Sequence, residues 1–332
     1  MNSKGRIIKL FVFGVMILVV ILDSHTAYSA AMNAMELCIK TVIPGVFPLL
    51  FLSSAVVYEL EKISVPFLER ILKIPAGSAG YFLIGLLCGY PVGAKILQDA
   101  INSNQINKDT GVRMMAFCNN ASPAFIIGVL SSVFHDWKIA IIMWGIQIIA
   151  SFLVGILLKD ANEYASNIKK HDIQVGNTMT ESLKAMAVIC GWVVMFGVVL
   201  AYIKNYTLTD TSPVAKAVVS GLMELTNGIH ALAAVRSPAV QWILSAAMLS
   251  LGGICVLMQT KSVAPDLDIK AYLTAKFTHA CITGFLASCC CLFIYPVDNP
   301  CIACIPLFFC AGIMTVLIHY FNKKVIAIGV NM

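Results

Sequence analysis

The stretch GYFLIGLLCGYPVGAKILQD (residues 80–99) is apolar for most of its length, but Gly-Tyr-Pro-Val-Gly interrupts it at the centre. A second stretch, AFCNNASPAF (residues 116–125), is interrupted by two asparagines and a Ser-Pro pair. In lipid, non-helical backbone survives only where it is buried in protein or lines a wet cavity. These two stretches therefore predict interrupted membrane helices, and they decide the fold.

The composition places the whole chain in a membrane. Of 332 residues, 59% are hydrophobic and 12% are charged, against about a quarter charged in a soluble domain. Membrane β-barrels would show segments of about ten residues with alternating polarity, and the chain lacks them. We predict an all-α, polytopic integral membrane protein with ten apolar segments close to the membrane-spanning length: 6–22, 37–58, 80–98, 113–133, 138–158, 183–203, 214–235, 240–258, 274–295 and 302–320.

The first segment and the net charge concern targeting and partners. Lys4, Arg6 and Lys9 lie at the start of this segment, so residues 1–33 are interpreted as a signal-anchor helix followed by a loop. A cleavable signal peptide with a site at Ala27–Ser29 is the alternative. The net charge of +6 implies no nucleic-acid partner, because most Lys and Arg residues lie between apolar segments, where topology explains them.

Three pairs of similar segments, in the same order, indicate an internal duplication. They are MELCIKTVIPGVFPLLFL (35–52) with TESLKAMAVICGWVVMFGVV (180–199), GLLCGYPVGA (85–94) with GLMELTNGIHA (221–231), and FCNNASPAFIIG (117–128) with LSLGGICVLMQ (249–259). We therefore predict a first repeat at 34–158, a linker at 159–182, a second repeat at 183–295, and a C-terminal helix with a basic tail at 296–332.

The distribution of Lys and Arg predicts how the two repeats face. Ten crossings would place the lysine-containing linker 159–182 outside, whereas re-entrant hairpins at 113–133 and 240–258 place it in the cytoplasm, where Lys and Arg are in excess. We therefore predict about eight transmembrane helices plus two re-entrant hairpins in an inverted repeat. In this arrangement residues 23–36 and 99–112 are external and Arg236 is cytoplasmic.

The interruptions predict helices that end within the membrane. Proline removes a backbone donor and glycine permits sharp local geometry. Half-helix ends expose N–H or C=O groups that can hold a polar solute. The predicted break residues are Gly89, Tyr90, Pro91, Gly93, Pro123, Gly252 and Gly253.

Polar residues at the first interruption are candidate binding residues. Asn119 and Asn120 can both donate and accept hydrogen bonds, which suits a base or a sugar better than a bare ion, and Ser122 adds a hydroxyl. The alternative is that Asn-Asn-Ala-Ser-Pro is a turn that caps the following helix.

Glu224 is the candidate charged residue of the second repeat. An ionisable residue within an apolar segment is a functional hypothesis by default, and Lys95 in the matching element is its predicted partner. Thr226 and Asn227 lie beside Glu224 and complete the predicted site, whereas His230 is interpreted as interfacial. The alternative is a snorkelling Lys95 and a Glu224 that ties helices together.

The cysteines raise the question of a metal. Seven of the twelve lie between residues 281 and 310, and Cys301 and Cys304 form a Cys-x-x-Cys pair. A soft metal or a disulfide is one interpretation. We predict packing residues instead, with no metal and no cofactor, because no His lies at ligand spacing nearby. Motifs for a Ser-His-Asp set or a phosphate-binding loop are missing, so no enzyme is predicted.

With these residues in view, the chain resembles a known family. LLCGYPVGAKI, FCNNASPAFIIGVL, GLMELTNGI and LSLGGICVLMQ, in this order, are similar to the sporulation integral membrane protein YlbJ family, which carries the nucleoside-recognition or Gate domain. Pro-Gly-Val-Phe-Pro at residues 44–48 fits the same family. The resemblance covers roughly residues 30–320.

The resemblance implies a multi-pass protein of the bacterial cell membrane with a role in spore formation. Through the relation of the Gate domain to concentrative nucleoside transporters and to the membrane part of FeoB, it also implies a transporter-like core. The expected partners are the lipid bilayer and a small polar solute, such as a nucleoside. A homo-oligomer is left open, as is a non-transporting role in a sporulation membrane complex.

Overall fold

The structure is a computed structural model that describes residues 3–60, 63–158, 175–294 and Gly312. Within these ranges every regular element is helical, which confirms the predicted all-α class. Most of the predicted linker 159–182, and the C-terminal segment with Cys301 and Cys304, lie outside the described residues.

The N-terminal part is one run of consecutive helices. α1 (Ser3–Leu22) is followed by α2 (Ser24–Leu37), a π-helical turn (Cys38–Val42) and α3 (Ile43–Leu60). The predicted loop at 23–36 is therefore wrong. The segment is rich in Ala and Met, which favour helix, and the Asp23 side chain caps α2 by accepting from Thr26 N at 3.2 Å.

The rest of the first half contains two interrupted elements between longer helices. After the short α4 (Pro66–Leu72), α5 (Ala79–Cys88) and α6 (Val92–Asn102) flank the first break, and α7 (Lys108–Cys118) and α8 (Pro123–Phe134) flank the second. α9 (Trp137–Leu157) ends this half.

The second half repeats this order. A long helix, α10 (Val175–Tyr206), precedes the interrupted pairs α11 (Pro213–Met223) with α12 (Leu225–Leu232) and α13 (Pro238–Leu251) with α14 (Gly253–Val263). α15 (Ile269–Ile294) follows. The order of long, broken, broken and long helices thus occurs twice.

Three of these helices begin at the same dipeptide, Ser-Pro. The hydroxyls of Ser122, Ser212 and Ser237 accept from the backbone N–H three residues later, at 3.2–3.4 Å. Each proline occupies the first helical position, where its missing N–H would have no intrahelical acceptor. These caps explain why α8, α11 and α13 begin sharply.

The re-entrant hairpins are not where the sequence predicted them. An added Cβ on Gly228 of α12 would lie 2.1 Å from Gly221 Cα of α11, so these two helices pack side by side as a hairpin. α5 and α6 also contact each other, whereas α7 with α8 and α13 with α14 do not pack side by side. The hairpins are therefore residues 79–102 and 213–232.

The predicted hairpins at 113–133 and 240–258 are instead helices that continue beyond a central break. With their breaks included, Lys108–Phe134 and Pro238–Val263 run for 27 and 26 residues, enough to cross a membrane. The sequence signal was ambiguous because both kinds of element carry Gly, Pro or Asn at the centre.

One end of the bundle, here called the basic end, gathers the segments around residues 73, 104, 158 and 266. Arg113 donates to Leu72 O at 3.1 Å and to Lys73 O at 2.5 Å, and Lys108 forms an ion pair with Asp266. This end includes segment 99–112, so the prediction that 99–112 is on the opposite side from residues 59–79 is wrong.

The opposite end gathers the segments around residues 23, 135, 210 and 235. Tyr206 donates to Asp23 Oδ2 at 3.0 Å, and Ser132 Oγ lies 3.5 Å from His230 Nδ1. Arg236 belongs to this end, so the prediction that Arg236 and residues 59–79 lie on the same side of the membrane is wrong. The first hairpin therefore enters from the basic end and the second from the opposite end.

The membrane-spanning capacity agrees with a polytopic protein. Among the described residues, six helical segments are long and apolar enough to cross a bilayer. The apolar core has two main parts, one around Tyr81 and Phe117 of the first half and one around Trp242 of the second. The broken ends of the helices lie between these parts.

Candidate functional site

A cavity of about 190 Å³ lies where the interrupted elements of both halves meet. Tyr90, Pro91 and Ser122 line it from the first half, and Glu224 and Thr226 line it from the second. The breaks in the two repeats thus converge on one cavity, as expected from the cost of exposing broken backbone to lipid.

The cavity wall that comes from the first half consists of two helix breaks in direct contact. Gly89 has φ +77°, and a Cβ there would lie 2.5 Å from Ser122 N. Tyr90 N donates to Asn120 O at 2.6 Å, so the hairpin tip uses a carbonyl that the end of α7 leaves free. Glycine at position 89 is required both by the left-handed backbone and by this approach.

The wall from the second half is organised by Glu224. Its carboxylate accepts from Thr226 N at 3.0 Å and from Asn227 N and Nδ2, both at 2.8 Å. Glu224 is therefore the N-cap of α12, a position where a negative charge also interacts favourably with the helix dipole. Gly253 packs beside this break, since its Cβ would lie 2.6 Å from Gly221 O.

The chemistry of the cavity is a polar strip on an apolar wall. A carboxylate offers about four acceptor positions, and three of those of Glu224 are used within the chain. The Tyr90 hydroxyl is buried and has no hydrogen-bond partner within the described residues. Thr41, in the π-helical turn, and Gln259 add further polar groups to the lining. This set can bind a neutral polar molecule by several hydrogen bonds.

Asn119 and Asn120 lie behind this cavity and do not line it. Both are buried. Asn119 donates to Tyr272 OH at 2.8 Å and to Thr260 Oγ1 at 3.2 Å, and accepts from Ala94 N. Asn120 donates to Phe117 O at 2.7 Å and to Ser151 Oγ at 3.0 Å. Their side chains connect the two halves, and the cap of the following helix predicted by the alternative comes from Ser122.

The predicted pairing of Lys95 with Glu224 is wrong. Lys95 Nζ lies 2.6 Å from both carboxylate oxygens of Asp99, one helical turn away. The pair lines a different, open cavity of about 490 Å³ near the basic end, together with Glu181 and Lys184. A partner four residues away on the same helix satisfies Lys95 without bringing it to the centre.

Three buried residues of α15 were missed. Lys276 is 2% exposed and donates to Asn119 O and to Asn120 Oδ1, the latter at 2.8 Å. Tyr272 lies beside it, and His279 Nε2 faces Gln147 O at 3.3 Å. The sequence signal was a lysine within apolar segment 274–295, but its position near the segment end suited a snorkelling side chain equally well.

The described residues contain no cluster of three or more His, Cys, Asp or Glu that could hold a metal ion. Cys281, Cys289, Cys290 and Cys291 are free thiols on α15. Since Cys301 and Cys304 lie outside the described residues, the expectation that the cysteines bind no metal stays a prediction.

One comparison with known proteins is informative. The chain is 21% identical over 301 residues to the sporulation integral membrane protein YlbJ of Bacillus subtilis (strain 168). The alignment covers 76% of this chain and 74% of that protein. The chain is a distant relative of YlbJ. No protein-family model and no solved structure matches the chain.

The relation to YlbJ confirms the predicted resemblance and, with the apolar helices, the multi-pass membrane localisation. The name of YlbJ refers to sporulation and to an integral membrane protein, and it refers to no solute. The function of the central cavity therefore has to be argued from its residues.

Proposed function

We propose that the chain is a membrane transporter for a small polar solute, with the cavity between the two sets of breaks as its binding site. The carrying observation is that Tyr90 and Glu224 line one cavity from opposite repeats. A solute that bridges them would be contacted by both halves, so movement of one half relative to the other could expose it alternately.

The lining supports a solute with several donors and an apolar face. Glu224 has an acceptor position left, Thr226 and Gln259 add polar groups, and Phe125 and Val193 supply apolar surface. Nucleosides have this character, with hydroxyl donors on the sugar and a flat base. The cavity of about 190 Å³ is smaller than the roughly 300–1,000 Å³ of drug-sized ligand sites, which supports a small solute.

The test is binding and uptake in purified and reconstituted protein. A panel of nucleosides and bases should contain a ligand that raises the melting temperature in a saturable way and enters proteoliposomes. Glu224→Gln should lower the affinity for that ligand by about tenfold or more, because it replaces a charge-assisted hydrogen bond by a neutral one. Glu181→Gln is the matched control, since Glu181 is exposed and pairs with Lys184.

The second candidate is a non-transporting component of a sporulation membrane complex. It is supported by Asn119 and Asn120, whose hydrogen bonds hold the helix breaks together within the protein. Under this alternative no panel member binds, and Glu224→Gln lowers stability and abundance together. Uptake that Glu224→Gln abolishes at normal abundance would exclude it.

A further inference from the structure

Lys276 is a buried lysine, and among the described residues no acidic side chain pairs with it. Its ammonium contacts Asn119 O and Asn120 Oδ1, and the Tyr272 ring centroid lies 5.3 Å away. A charged side chain at such a depth is costly unless dipoles or oxygen atoms compensate it.

The compensating oxygen atoms belong to the end of a broken helix. Asn119 is the C-cap of α7, so its carbonyl lies at the negative end of that half-helix. The neighbouring carbonyls have donors of their own, Phe117 O from Asn120 and Ser151 and Asn120 O from Tyr90 N. The carbonyl of Asn119 is thus satisfied by Lys276.

Many transporters bind a monovalent cation in an arrangement of this kind. Unwound backbone carbonyls and the C-terminal ends of half-helices coordinate Na⁺ there. Here an ammonium on a side chain already occupies the oxygen set. The side chain comes from α15 in the second half, whereas the oxygen atoms come from the first half.

We propose that Lys276 is a built-in cation, which takes the position of a bound monovalent cation between the end of α7 and α15. It fastens the two halves together without an external ion. Removing the side chain would therefore uncover a site for a small monovalent cation, such as Na⁺ or an alkylammonium. The inference deepens the proposed function, but its test measures binding without transport, so either can fail alone.

The test compares two truncations of the same side chain. Lys276→Ala leaves the oxygen atoms and an empty volume, whereas Lys276→Met fills much of that volume without a charge. Melting temperatures are measured at constant ionic strength in Na⁺, K⁺, propylammonium or N-methylglucamine. Lys184→Ala is the control, because the Lys184 side chain is exposed.

The expected result is specific to one variant. Wild type, Lys184→Ala and Lys276→Met should each have a melting temperature that does not depend on the cation present. Lys276→Ala should melt lower in N-methylglucamine and regain about 2–4 °C with propylammonium or Na⁺ at roughly ten times the dissociation constant. No saturable response in Lys276→Ala, or an equal response in Lys276→Met, would overturn the proposal.

If neither truncation folds, the wild type decides the question. The proposal requires that replacing Na⁺ by N-methylglucamine leaves the wild-type melting temperature unchanged. Lys276→Arg, which keeps the charge, should behave in the same way. A saturable Na⁺ stabilisation of either protein would show that the site between α7 and α15 needs an external ion.

Discussion

Gly228→Ala tests the contact that makes residues 213–232 a hairpin. The new Cβ would lie 2.1 Å from Gly221 Cα and 2.4 Å from Gly221 N, both backbone atoms that cannot rotate away. Restoring a carbon–carbon contact of about 3.5 Å requires the two arms to separate by about 1.4 Å. Glu224 lies at the tip of these arms, so its position in the cavity would change as well.

The expected effect combines two opposing terms. Overpacking costs roughly 1–3 kcal/mol, and replacing Gly by Ala within a helix returns up to about 1 kcal/mol. We expect a net loss of about 1–2 kcal/mol, which corresponds to a fall in melting temperature of about 2–8 °C. The assay is thermal unfolding of the purified protein in detergent.

Gly145→Ala on α9 is the matched control, because nothing lies within 4 Å of its added Cβ. It should melt at or slightly above the wild-type temperature. If Gly228→Ala also melts at or above that temperature, the two arms are not in contact. The assignment of the hairpin to 213–232, rather than to 240–258, would then be refuted.

Two further predictions concern the ends of the bundle. The basic end should face the cytoplasm. In a cysteine-free background, a Cys at Asn104 or Asn167 should not react with a membrane-impermeant maleimide in intact cells, whereas a Cys at Asp210 should react. The opposite labelling pattern would show that the topology is inverted. At the same end, hydrogen bonds from Lys108 and then Gln98 hold the pKa of the Asp266 carboxyl below its usual value. The contribution of ionised Asp266 to the stability of the fold is therefore complete above about pH 4 and is lost as the pH falls through the lowered pKa. Asp266→Asn should flatten the acid side of a plot of melting temperature against pH, and an unchanged curve would show that this ion pair contributes nothing.

Composition and helix-breaking residues were enough to predict the class of fold and the breaks near residues 89–93, 123 and 252–253, whereas Glu224 was not among the predicted break residues. Charged and apolar content alone identify a polytopic helical protein, and Gly, Pro and Asn mark where a helix ends. Whether the chain turns back or continues after a break depends on the opposite arm. Gly221 and Gly228 flank Glu224 and meet across the hairpin, whereas Gly111 and Gly128 flank the break at 119–122 and do not meet. The position of glycine in the sequence therefore does not decide between the two cases.

The site was predicted in part. An acidic residue in an apolar segment pointed to Glu224, and the structure places it in the central cavity. Its expected partner was wrong because a sequence shows which charges are unusual, but not which residues from distant helices meet. Lys276 was missed for the same reason, since its acceptors lie 156 and 157 residues away along the chain.

The opposite entry directions of the two hairpins have a consequence for the history of the chain. A protein of half this length, with one hairpin and one broken helix, would have only one wall of the cavity. It could complete the cavity only by pairing with a copy inserted upside down, which requires a weak charge bias so that both orientations arise. Once residues 159–174 join the halves, each half has one fixed orientation. The sequences of the two cavity walls can then differ, with Glu224 in one wall and Gly-Tyr-Pro in the other.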